Sequence, residues 1–304
     1  MKKIAVVVNK NWEAEPVLAA MCSGPFRASG LPFPEFIISL QFEKYRVNPA
    51  LPINDHGNAR AIFSLPQVKA TVWCIQDFMD ITKNSSSSEE KARFLPALLQ
   101  AEAPDFIIAV GTAGYLSENA IAGCVVAGAR FFVHDGHPGN PESNYQNSSF
   151  DTNLPLNCNP KIFSVFSPAS RLATEPKFLK PPNKPAPRPA LLASQYYTAL
   201  SSVNVTDYGE YAWVDAECVN AFRKVEKHYP IGSLETTHGV IRLCSDYPAM
   251  FVSAIADSEG NFDIEVTAGQ NYTAAFNAGI VLGQFLVDVN ALLTVNTGFN
   301  FANQ

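Results

Sequence analysis

The sequence predicts a three-layer α/β/α sandwich around a central mixed sheet. Three observations carry that expectation. Short apolar runs alternate with amphipathic segments along the chain, as strands interleaved with helices do. Several of those runs are nearly continuous in apolar residues, which fits strands covered on both faces rather than on one. A long apolar-faced segment closes the chain and has the length to cross a sheet as one helix.

Taken in order, residues 4–8 (Ile-Ala-Val-Val-Val) form the first strand, and residues 12–21 follow as a helix. Glu13 and Glu15 fall in the first turn of that helix, near the positive end of its dipole. Residues 71–75 are a further strand. The polar stretch 84–88 links to and caps a helix over 89–100. Residues 105–110 are a buried strand that ends in the glycine-bearing turn Gly111-Thr-Ala-Gly114. Strands are expected at 124–132 and 190–193, a helix at 215–227, a last buried strand at 249–255, and the closing helix at 268–293. Two stretches resist the pattern. Residues 134–160 are rich in Asn, Ser, Pro and Gly and read as a long loop. Residues 174–189 carry Pro176, Pro181, Pro182, Pro185, Pro187 and Pro189, which forbid helix and favour an extended connector. The strand pattern resumes afterwards, so the expectation is a single domain over 1–304 with a loop-rich insertion at about 134–190.

Composition narrows the function. With 47% hydrophobic residues in 304, the chain can bury a substantial core. A formal net charge of −6 and no run of Lys or Arg argue against a nucleic-acid or anionic-membrane partner, which needs a basic footprint. The six cysteines, Cys22, Cys74, Cys124, Cys158, Cys218 and Cys244, are scattered without a Cys-x-x-Cys pair and read as reduced core thiols. His134-Asp-Gly-His137 offers two imidazoles but no third placed ligand, so no metal or other cofactor is expected. The apolar start is too short for a secretory signal, and no apolar run reads as membrane-spanning. A cytoplasmic enzyme is the expectation.

Four segments carry candidate chemistry. Asp257 comes at the end of the last buried strand, where open α/β sheets place their sites. Partly withdrawn from water, such an acid has a raised pKa and can donate a proton at neutral pH; the alternative is a cap or turn residue. The segment from Gly111 to Gly114 lets backbone N–H groups approach an anion or a polar oxygen, and Thr112 adds a hydroxyl. It is neither a P-loop nor a dinucleotide fingerprint, since spacing and lysine are both missing; a ligand-free turn is the alternative. Val214-Asp-Ala-Glu217 supplies a carboxylate suited to a vicinal diol, or an ordinary surface glutamate. Glu15 sits where the first strand opens into a cleft, or merely complements the helix dipole.

In this order, Glu15, Gly111-Thr-Ala-Gly114, Asp215-Ala-Glu217 and Ser253-Ala-Ile-Ala-Asp257 resemble the motifs of the nucleoside phosphorylase and nucleosidase superfamily. The branch they are most similar to is the methylthioadenosine/S-adenosylhomocysteine nucleosidases. The resemblance covers most of the chain outside the insertion. It implies that Glu15 orients or deprotonates the attacking water, and that Thr112, Ala113 and Gly114 line the anomeric-carbon end of the pocket. It further implies that Glu217, beside Ala216, binds the ribose hydroxyls, and that Asp257 protonates the purine N7. Tyr197, in Ser194-Gln195-Tyr-Tyr197, stacks on the base. Breaking an N-glycosidic bond passes through an oxocarbenium-like state, so an acid at the leaving group and a base for water suit it. The chain departs from the family at Ala216 for methionine, Ala256 for serine, Ser253 for arginine, and Gly123-Cys124 for Gly-Asp. Phosphorylases of the superfamily hold phosphate with arginines that are missing here, although Lys10 offers one charge. Water is therefore the expected acceptor, and Asp257 favours a 6-aminopurine. The implied activity is hydrolysis of an adenine-type nucleoside by a homo-oligomer. The alternatives are a phosphate-dependent purine nucleoside phosphorylase and a nucleoside-binding protein with weakened chemistry.

Overall fold

A computed structural model describes residues 1–21, 59–78, 88–115, 123–135, 151–166, 191–203, 211–258 and 268–303. Among them, an eleven-stranded mixed sheet runs through the molecule. Its strands are β1 (Lys2–Val8), β2 (Ala61–Ser64), β3 (Val68–Cys74), β4 (Phe106–Tyr115), β5 (Val125–Gly128), β6 (Arg130–Asp135), β7 (Asp151–Leu154), β8 (Leu191–Ala193), β9 (Thr198–Val203), β10 (Ile231–Glu235) and β11 (Ala249–Ser258). The helices are α1 (Asn11–Met21), α2 (Ser88–Glu102), α3 (Tyr211–Val225), α4 (His238–Leu243) and α5 (Ala268–Val295).

Strands β2, β3, β1 and β4 lie side by side, and the sheet forks at β4. One arm continues through β10, β9, β6 and β7; the other through β11, β5 and β8. Strand β1 is parallel to β3 and β4, and β11 is parallel to β4, whereas β10 meets β4 antiparallel through Leu234 and Gly114. The ends of β1, β4, β10 and β11 thereby converge on one region.

Strand alternation sorts the core into layers. Ile4, Val6, Val8, Ile108 and Val110 face α1 and α5, while Ala5, Val7, Ile107 and Ala109 face α2 and α4. Helix α3 covers β6 and β9 through Phe132, Leu200, Cys218, Ala221 and Phe222. The three-layer expectation is borne out. Helix α5 packs so closely on α1 that a Cβ on Gly279 would collide with the Val17 carbonyl oxygen. Only glycine permits that approach.

Several expectations need correction. The segment 111–114 is no turn: β4 continues through it to Tyr115, because β11 pairs with it residue by residue. Residues 124–132 hold two strands, β5 and β6, parted at Ala129. The loop expected at 134–160 contains β7, an edge strand held by pairing to β6, and a 3-10 turn, Pro160–Val165, whose Ile162 joins the core. Its Asp and Asn residues are poor strand formers, so the backbone pairing more than the side chains makes that strand. The segment Ala274–Val295 within α5 is long and apolar enough to cross a membrane, contrary to the sequence reading. It is 67% buried in the protein, against α1 and the sheet, which accounts for its composition. Cys74, Cys124, Cys158 and Cys218 are buried and Cys244 is half-buried. Burial pushes the Cys74 and Cys158 thiols up to about 12. Cys22 and the proline-rich 174–189 lie outside the described residues.

Candidate active site

Strand β1 delivers the chain to the sheet's C-terminal edge, where it turns at once into α1. Lys10 is the residue before the first turn, and its carbonyl accepts from the N–H groups of Glu13 and Ala14. Glu13, third in the helix, reaches back so that its Oε2 accepts from the Lys10 N–H at 2.9 Å. This is the reach-back half of a capping box. Its other oxygen, Oε1, accepts from both the backbone N–H and the Oγ1 hydroxyl of Thr112, each at 2.8 Å. Glu13 is only 3% exposed. Burial pushes its pKa up, and the bonds from Thr112 and Lys10 and the nearby His238 act against that rise. The result is a carboxylate held at both oxygens and reluctant to carry charge, which suits a base.

Strand β10 brings a second group to the same place. The Glu235 carboxylate accepts from the Ser201 hydroxyl of β9, from the Thr237 N–H, and from the His238 N–H at 2.7 Å. His238 opens α4 and is 1% exposed. Its Nδ1 lies 3.2 Å from Ser253 Oγ on β11 and 3.8 Å from Glu235 Oε1. Ser253 in turn donates to Ser233 Oγ at 2.9 Å. Lys91 of α2, wholly buried, donates from Nζ to Thr237 Oγ1 at 2.9 Å. Burial pushes Lys91 down to about 7; Lys10 adds to the drop, and Glu235 and Glu13 oppose it. One compact region thus gathers two carboxylates, an imidazole, a lysine that can lose its proton near neutrality, and hydroxyls. Such a set can move protons at ordinary pH.

Of the residues expected in a site, Thr112 lies in this cluster. Ala113 is buried beside it, and Gly114 pairs with both Leu234 and Asp257. The backbone of Asp257 therefore reaches the same strand end. The register slips between Ile255 and Asp257, which leaves Ala256 as an extra residue on β11. Bulges of this kind re-aim the residue that follows and recur beside active sites.

Other expected residues fall elsewhere. Glu15 is exposed, because two residues after Glu13 a helix has turned through roughly 200°. The α1 carboxylate that faces Thr112 is Glu13. Ala216 is exposed and Glu217 half-buried on α3. That helix packs on the side of β9 that carries Leu200 and Ser202, whereas Ser201 faces α4. Gln195 and Tyr197 precede β9, at the opposite end from Ser201, and Tyr197 abuts Gly128 and Gly232. His134 Nδ1 faces Asp151 at 2.6 Å, and His137 lies outside the described residues. Among the described residues, no three His, Cys, Asp or Glu side chains are grouped to hold a metal ion.

Glu235, His238 and Lys91 went unmarked in the sequence. Glu13 carried a signal in its place three residues after the residue that ends the strand turn. Lys91 carried none, since a lysine early in a polar helix reads as surface.

No protein-family model matches this sequence, and no curated protein matches it. Solved structures do. The 5′-methylthioadenosine/S-adenosylhomocysteine nucleosidase of Neisseria meningitidis, in complex with methylthio-immucillin-A, superposes with a TM-score of 0.52 at 16% identity. The alignment covers 94% of this chain and 99% of that one. A Borrelia burgdorferi protein assigned the same activity, bound to adenine, gives 0.53 at 12% identity over 93% and 99% of the two chains. The Colwellia psychrerythraea nucleosidase, also with adenine, gives 0.50 at 12% over 94% and 95%. The chain has the nucleoside phosphorylase-like fold of these nucleosidases.

Proposed function

We propose that the chain is a purine nucleosidase that hydrolyses the N-glycosidic bond of an adenine-type nucleoside. The observation that carries this reading is the cradle formed by the Thr112 N–H, the Thr112 hydroxyl and the Lys10 N–H, filled by the carboxylate of Glu13. An anion cradle that holds its own carboxylate is a poor seat for phosphate. Two unit charges 4 Å apart repel by about 4 kcal/mol at an effective dielectric of about 20. Water has no such penalty and finds a base already in position.

In this reading Glu13 takes the role first expected of Glu15 and accepts a proton from the attacking water. Oxygen bonds to the anomeric carbon as the C–N bond breaks. The bonding pair passes to the base, and Asp257 supplies a proton to the purine N7. Thr112, Ala113 and Gly114 line the anomeric end. Glu217, Ala216, Gln195 and Tyr197 have no part in it. The fold shared with adenine-binding nucleosidases supports a purine as the leaving group. A cytoplasmic, homo-oligomeric enzyme working without a cofactor belongs to the same reading.

Lys10 and Lys91, two cations beside the cradle, favour the phosphate-dependent alternative. Release of free base from a panel of purine nucleosides, with and without phosphate, separates the two. Equal release in both conditions supports the hydrolase, and release only with phosphate makes the chain a phosphorylase. No release from any nucleoside that binds would leave a binding protein.

A further inference from the structure

Gly111 leaves a gap at the centre of the cluster. A Cβ built there would lie 3.2 Å from Glu13 Oε1 and 3.4 Å from His238 Nε2. The two side chains therefore face each other across a space that the missing methyl leaves open. The far side of the imidazole fixes what Nε2 can do. Ser253 gives its hydroxyl hydrogen to Ser233 and so presents a lone pair to His238 Nδ1, and Glu235 lies beyond it. Both favour the proton on Nδ1. In the tautomer with its single proton on Nδ1, the ring turns Nε2 toward Gly111 as an acceptor.

We infer that His238 is a second catalytic base, which holds the attacking water over Gly111 together with Glu13. This rests on the hydrolase reading given above and adds a residue to it. The water donates one hydrogen to Glu13 and the other to His238 Nε2. Its lone pair is left for the anomeric carbon. As the C–O bond forms, one proton passes to the pair of bases while the C–N electrons leave with the purine. The chain Ser233–Ser253–His238–Glu235 sets the ring's orientation and tautomer before substrate arrives. Glycine at 111 is required for the room it leaves, since its backbone is not in the left-handed region and a Cβ there would crowd Glu13 Oε1 and His238 Nε2.

The test compares kcat and KM for adenosine-type nucleosides in the wild type, His238→Gln and Gly111→Ala, each checked for folding by its thermal melt. Both variants are expected to lose kcat by about 100-fold or more with KM changed only a few-fold. A crystal structure of the wild type should show a water bonded to Glu13 and His238 Nε2 that Gly111→Ala displaces. Should His238→Gln fail to fold, Gly111→Ala alone carries the test. Full kcat in Gly111→Ala or in a folded His238→Gln, or a loss confined to KM, would overturn the role of His238 and leave the hydrolase reading standing. A wild type that releases no base overturns both.

Discussion

Replacing Lys91 with methionine tests how the cluster is held together. The lysine is wholly buried, and its pKa falls from 10.5 to about 7. At about 1.4 kcal/mol per tenfold, that drop means a charged Lys91 costs the fold about 5 kcal/mol relative to the neutral amine. The sign follows from proton counting. Between pH 7 and 10.5 the unfolded chain binds a proton on Lys91 that the folded chain has released, so stability rises with pH in that window. Below about 7 both states are protonated and the cost is fully present. Lys91→Met removes the titration along with the bond to Thr237 Oγ1, which is worth about 1 kcal/mol. The variant should therefore be the more stable protein at pH 6 and lose that lead as pH rises toward 10. Urea unfolding of both proteins at pH 6, 7, 8 and 9 measures the difference. A difference that is flat across the series, or that moves toward the variant as pH rises, would refute a buried lysine titrating near neutrality.

Four other substitutions separate the parts of the argument. Glu13→Gln should lower kcat for base release by about 100-fold to 10,000-fold, while Glu15→Gln stays near wild type; steady-state kinetics on both shows which carboxylate acts. Thr112→Val deletes the hydroxyl bond that holds the Glu13 pKa down. The carboxylate should then protonate at higher pH, and the acidic limb of the kcat profile should move upward; an unmoved limb would detach Glu13 from it. Gly279→Ala places a methyl against the Val17 carbonyl and should destabilise the protein by about 1–3 kcal/mol without touching kcat, which a thermal melt and an activity assay resolve together.

How much could be read from the sequence depends on what each residue owes to its neighbours in the chain. Strand β1 was legible because burial on both faces leaves an unbroken apolar run, and helix α5 because apolar residues recur along its whole length. Thr112 and Asp257 were singled out because strand ends in such sheets are where ligands sit; Thr112 meets Glu13 there, and the backbone of Asp257 reaches the same strand end. Strand β7 was not, since its Asp-Thr-Asn side chains say nothing about a backbone paired to β6. Strands β9 and β10, with serines at Ser201, Ser202 and Ser233, drew no assignment from the sequence, yet those serines are buried to bond Asp215, Glu235 and Ser253. That Glu13 and not Glu15 faces Thr112 is a matter of helix phase, set by where the strand stops and the first turn begins. Lys91 of α2 bonds Thr237, the residue before His238, and no local pattern announces a contact made across 146 residues.

The fork at β4 also bears on how this chain tolerates its size. Strands β2, β7 and β8 are the outermost of the sheet among the described residues. Strand β4, by contrast, is pinned by β1, β10 and β11 at once, and Gly114 alone answers to two of them. Growth at the margins leaves that seam untouched. A lineage can therefore lengthen, shorten or replace the peripheral segments freely. A single inserted residue at the seam would throw Thr112, which holds Glu13, out of register with β11.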